Sequence, residues 1–165
     1  MNLTSALPLK KMVRQCRKKA TAYANALGRT VFAIDNALYF NDLPEGEQPG
    51  LYVRRIGGTE RSTDEEMLEN YKELVRSHGE QIEGYWEFGV SIAKPDGTSI
   101  EEVIISPRLF VAKASDKMIP GFPLEAIQVD PETGKYISEM TEEEQAQFWQ
   151  RGIGEPLSRF IEANL

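Results

Sequence analysis

At 165 residues, 41% apolar and 27% charged, the chain is long enough for one domain with a sizeable core and too short for two. A net charge of −7 repels nucleic acid, and no apolar run approaches the ~18 residues of a membrane span, so a soluble cytoplasmic protein with neither nucleic-acid nor membrane partners is expected. The single cysteine, Cys16, excludes an internal disulfide and a multi-cysteine metal site.

The first nineteen residues hold Lys10, Lys11, Arg14, Arg17, Lys18 and Lys19 and no acid, so the rest of the chain is more acidic than the whole. Those charges interrupt the apolar core a signal peptide needs. They form either a solvated helix face or a local site for phosphate or an acidic partner.

From about Leu7 to Leu27 the positions Val13, Cys16, Ala20, Tyr23, Ala24 and Leu27 recur at three- and four-residue steps, predicting a helix that Gly28 stops. The β-branched and aromatic run from Thr30 to Phe40 predicts a strand buried on both faces for much of its length, with Asp35 in its middle. Asn41 to Gly50, rich in Pro and Gly, reads as a loop. Ser62 and Thr63 each precede a glutamate by three residues, and Met67, Leu68, Tyr71, Leu74 and Val75 then form the stripe of a capped helix ending before Gly79.

Beyond it, Trp86, Phe88, Val90 and Ile92 alternate with Tyr85, Glu87, Gly89 and Ser91, and Pro95-Asp96-Gly97 turns the chain into a second strand around Val103 to Val111, which predicts a hairpin. Thr141 with Glu144 caps a last helical region, continued after Gly152 by a segment with Leu157, Phe160 and Ile161 on one side. Helix, strand, helix, hairpin, helix describes an α/β sheet protein.

Phosphate-loop, dinucleotide, zinc-protease and serine-hydrolase signatures are absent. The one histidine, His78, ends a predicted helix, where its ring can face the carbonyl end. Asp35 is more telling, because a carboxylate in an apolar strand needs a partner. It accepts hydrogen bonds from backbone or from Arg55, or it binds a metal or activates water. Arg54 and Arg55 could hold a phosphate, although neighbours on a strand point to opposite faces. Gly121-Phe122-Pro123 predicts a tight turn presenting a ring, and Arg151-Gly152 a second turn between two helical pieces. Ring and guanidinium could together hold a flat base; the alternatives are a core Phe and a surface Arg.

In this order the pieces resemble the inosine triphosphate pyrophosphatase family, the non-canonical purine nucleoside triphosphate pyrophosphatases. Lys19-Ala20 and Tyr23-Ala24 match that family's helix, and GRTVFAIDNAL keeps the second aspartate of its Asp-Asp-Ser-Gly-Leu motif as Asp35 and the leucine as Leu38. Pro49, Gly50, Tyr52 and Arg55 match Pro-Gly-x-Tyr-x-x-Arg; GFPLEA keeps Gly121 and Phe122 of a Gly-Phe-Gly-Tyr-Asp-Pro loop, with Glu125 where the acid belongs. Ser138-Glu139-Met140-Thr141 resembles Ala-Glu-Met-Thr, and Arg151-Gly152 the end of Ser-His-Arg-Gly.

The resemblance implies an elongated mixed β-sheet flanked by helices, two lobes with a nucleotide cleft between them, and a homodimer. It implies magnesium-dependent hydrolysis of inosine or xanthosine triphosphate to monophosphate and pyrophosphate. Asp35 would bind magnesium or orient the attacking water, Lys19 and Arg55 would contact phosphates, and Phe122, Glu125 and Arg151 would hold the base. The alternative is an inactive member that binds a nucleotide or a protein.

The chain departs from the family pattern at Ile34 for the first aspartate, Gln145 for a lysine, and Trp149-Gln150 for Ser-His. Family members begin with a strand, a Thr-x-Asn-x-x-Lys loop and an acidic Glu-Thr-Gly segment. Residues 1–165 are therefore expected to form a single, N-terminally shortened domain with weakened magnesium affinity.

Overall fold

The computed structural model describes residues 6–55 and 60–165, with side chains from residue 11 onward in the first helix. The side chain of Lys10, one of the basic residues expected on that helix, lies outside the described residues. Helix α1 (Ala6–Leu27) leads to strand β1 (Val31–Phe40), helix α2 (Asp64–Ser77), the long strands β2 (Gln81–Ala93) and β3 (Ser99–Val111), and a short β4 (Gln128–Val129). Helices α3 (Glu142–Trp149) and α4 (Glu155–Asn164) close the chain. The sheet runs β1-β2-β3-β4 with antiparallel pairings throughout the described residues. A sheet flanked by helices is thus borne out, and at about 3.3 Å per residue its central hairpin extends roughly 40 Å.

Local chemistry sets these boundaries. Gly28 has φ +60° and ends α1. The Thr63 hydroxyl accepts the Glu66 N–H while the Glu66 carboxylate accepts the Thr63 N–H, and Thr141 and Glu144 repeat the arrangement on α3. Gly97, with φ +87°, makes the hairpin turn, and Asp96 accepts from both the N–H and the hydroxyl of Thr98. His78 closes α2 with Nδ1 2.8 Å from the Leu74 carbonyl oxygen, as its position predicted.

Strand alternation divides the sheet into two faces. On one lies α1, whose buried stripe is Met12, Cys16, Ala20 and Ala24 at strict four-residue steps. Tyr23 and Leu27, expected in that stripe, are exposed instead, because the second half of the helix meets the sheet through Ala20 and Ala24. Cys16 Sγ lies 3.2 Å from the carbonyl oxygens of both Ala33 and Gly89, and a Cβ on Gly89 would come within 3.3 Å of Met12.

The other face carries two hydrophobic clusters. Leu38, Phe40, Ile82 and Phe110 meet α2 through Met67, Tyr71 and Val75. Phe88, Val90, Ile92 and Ile104 meet α4 through Phe160, with Leu157 and Ile161 alongside as expected. Burial of each such side chain stabilises by about 1.5–3 kcal/mol relative to exposure. Trp86 packs against both clusters, and a cleft opens between them over its ring.

Candidate active site

The cleft has a volume of about 510 Å³. Its floor is the sheet face carrying Asn36, Trp86, Phe88 and Gln128, and its wall is the segment Gly121 to Glu125 with Trp149. Trp86 Nε1 donates to Gln128 Oε1 at 3.2 Å, and Gln128 Nε2 donates to the Leu124 carbonyl at 3.2 Å, so the floor fixes the wall.

The turn bearing Phe122 is clamped from α2. Gly121, at φ +84°, donates its N–H to Asp64 Oδ2 at 2.6 Å, while Arg54 donates through Nη2 to the Gly121 carbonyl at 2.6 Å and through Nη1 to Asp64 Oδ1 at 2.8 Å. The Gly121 N–H and the Arg54 guanidinium hold the Asp64 carboxyl below its ordinary value of 3.8. Phe122 is left 62% exposed at the mouth, as the Gly-Phe-Pro turn predicted. Glu125 is half-buried in the wall; burial pushes its carboxyl above 4.5, and the positive charge of Arg108 pulls it part of the way back.

Asp35 lies elsewhere. Its neighbour Asn36 lines the cleft, and Asp35 projects to the α1 face, where Oδ2 accepts from Lys19 Nζ at 2.8 Å and Oδ1 from the Asn36 N–H at 3.2 Å. The partner is Lys19, not Arg55 or distant backbone. Lys19 and Asp35 are therefore brought together, as are Phe122 and Glu125, with β1 between the two pairs.

Two arginines sit in backbone other than that expected. Val53–Arg55 is a 3-10 turn, not a strand; Arg54 faces the cleft and Arg55 is exposed beside it. Gln150–Gly154 is a π-helical stretch that carries α3 into α4 without an intervening turn. Arg151 there is exposed and reaches Asp130 Oδ2 at 3.4 Å, outside the residues that line the cleft. Close packing requires glycine at 152, since a Cβ there would meet Ser106 Oγ at 2.8 Å.

Sequence reasoning missed Arg108. It belongs to the inward row Ile104, Ser106, Arg108 and Phe110 of β3, and its guanidinium lies 4.6 Å from the Phe148 ring centre and 5.2 Å from that of Trp149. The signal was present: a charge at a core-facing position of an alternating strand, the reasoning applied to Asp35.

With this geometry in hand, the sequence profile of the Ham1 family matches residues 10–154. The chain belongs to the Ham1 family. Among solved structures, the Ham1 protein of Staphylococcus aureus is 24% identical at a TM-score of 0.70, over 89% of this chain and 74% of that one. A nucleoside-triphosphatase described as a dITP/XTP pyrophosphatase, from Mycobacterium abscessus, is 16% identical at 0.67, over 97% and 79%. A HAM1 protein from Coxiella burnetii is 15% identical at 0.68, over 99% and 80%. No curated protein matches the chain. The Ham1 fold and the motif order are therefore in agreement, and the inosine triphosphate pyrophosphatase resemblance is borne out at the level of family.

Among the described residues no three metal-ligating side chains gather. Asp35 nonetheless fits the role of a lone protein contact to magnesium, an ion commonly bound through one or two carboxylates together with substrate phosphates. It is a hard oxygen donor that keeps 23% of its side-chain exposure, beside a lysine suited to phosphate.

Proposed function

We propose that this Ham1-family chain is a nucleoside triphosphate pyrophosphohydrolase acting on non-canonical purine triphosphates of the inosine and xanthosine type. The observation that carries the reading is the 2.8 Å pair of Lys19 and Asp35. The family's helix motif and strand motif converge in it, alongside a base-sized cleft walled by Phe122 and Glu125.

The base stacks against Phe122 over Trp86, and the phosphates pass β1 to Lys19 and Asp35. Lys19 releases Asp35 to bind phosphate oxygens, and the freed carboxylate orients water at the α-phosphorus. As the new oxygen–phosphorus bond forms, the bridging bond between the α- and β-phosphates breaks, pyrophosphate leaves, and the proton from water passes through Asp35 to solvent. The chemistry that a bound magnesium ion supplies here is neutralisation of charge on the leaving pyrophosphate.

A second reading, nucleotide binding without turnover, is favoured by one observation: the Lys19 ammonium already neutralises Asp35 Oδ2. Incubation of the purified protein with inosine, xanthosine and the four common triphosphates plus magnesium decides between them. Pyrophosphate release from the first two, far above the common four, is expected; no release from any of the six overturns the enzyme and leaves the binding protein.

A further inference from the structure

The guanidinium of Arg108 is used by nothing in the proposed chemistry, yet it is only 6% exposed. Nη1 donates to Ser106 Oγ at 2.6 Å and to the Pro107 carbonyl at 2.9 Å, while Nε and Nη2 have no acceptor among the described residues. Burial lowers its pKa to about 10, which leaves it charged at neutral pH. A buried cation with two idle donors opposes folding, so its presence points to a partner that arrives from outside.

Its surroundings say where that partner comes from. Arg108 lies on the cleft side of the sheet, opposite Gly84. Glu125, which lines the cleft, attracts it electrostatically. The half-buried indole of Trp149 lines the cleft and lies 5.2 Å from the guanidinium, its ring edge-on to Phe148 and packed against the cluster of Ile137, Met140 and Phe148. Arg151, the arginine that the family resemblance assigns to the base, is turned to Asp130.

Resting on the nucleotide reading above, we infer that Arg108, and not Arg151, is the specificity-determining residue of the cleft. A base that displaces the Trp149 ring receives a hydrogen bond from Arg108 on its 6-carbonyl oxygen and gives its N1–H to Glu125. A 6-oxo purine satisfies both groups. A 6-amino purine meets Arg108 with a donor and Glu125 with an acceptor, and leaves both unpaired.

Because both tryptophans line the cleft, intrinsic fluorescence reports occupancy without turnover or metal. Inosine and adenosine 5′-monophosphates are titrated into the full chain and into Arg108→Met, Arg108→Lys and Arg151→Ala, with melting temperatures recorded. Wild type is expected to prefer the inosine nucleotide by at least roughly tenfold. Arg108→Met should bring the two near parity without lowering the melting temperature, Arg108→Lys should recover part of the preference, and Arg151→Ala should keep it. The inference is overturned if a folded Arg108→Met or Arg108→Lys retains the full preference, or if Arg151→Ala alone abolishes it, and the nucleotide reading survives either result. If wild type binds neither nucleotide, both fall together.

Discussion

Lys19 on α1 and Asp35 on β1 meet at 2.8 Å, sixteen residues apart in the chain and on the face of the sheet opposite Asn36 and the cleft. Both side chains keep solvent contact, so the pair contributes only about 0–1 kcal/mol to stability. Asp35→Asn should leave the melting temperature nearly unchanged while lowering pyrophosphate release by roughly a hundredfold or more. Unchanged turnover would show that the carboxylate has no part in the reaction.

Arg54 acts on the cleft through the backbone of Gly121 and through Asp64. Arg54→Ala should free the turn that carries Phe122, raising KM by roughly tenfold with kcat less affected, since the loss is one of positioning. Hydrogen exchange at residues 121–125 should accelerate in the variant; protection equal to wild type would mean the turn holds itself.

Glu125 gives the cleft a pH dependence. Burial holds its carboxyl above the ordinary 4.5 in the free protein, and the ionised form is the stronger acceptor for an N1–H. Affinity for inosine monophosphate should therefore fall as pH drops through that raised value and recover as pH rises above it. Glu125→Gln should bind more weakly and show no such slope, which isothermal titration at several pH values will test.

The thiol of Cys16 is buried against two backbone carbonyl oxygens, and burial pushes its pKa up to about 11 from 9.0. At pH 8 only about one molecule in a thousand carries the thiolate. Iodoacetamide should label the native protein far more slowly than the urea-unfolded chain, as mass spectrometry can follow. The unfolded thiol ionises at lower pH than the folded one, so stability contributed here falls as pH rises from 9 towards 11.

Features governed by near neighbours were legible in the sequence. Thr63 with Glu66, Thr141 with Glu144, Gly28, Gly97 and the Gly121 turn each carry their geometry within four residues, and the structure has them as read. Features decided by docking were not. Whether Asp35 or Asn36 faces the cleft depends on which side of β1 receives α1. Arg54 replaces Arg55 at the cleft because three residues form a 3-10 turn instead of continuing extended. Arg151 leaves the site because Gly152 must pass Ser106 and Arg108, a contact between positions more than forty residues apart. Phe122 and Glu125 stay together for the opposite reason: both ride on one short turn.

Methyl groups set the reach of the ammonium. Helix α1 rests on the sheet through Ala20 and Ala24 against Ala93, with Val31 and Ala33 beside them, and Lys19 precedes the first of these. A valine or leucine at Ala20 would wedge the layers apart and carry the neighbouring lysine away from Asp35, so inert residues that touch no ligand govern how far a charge can extend.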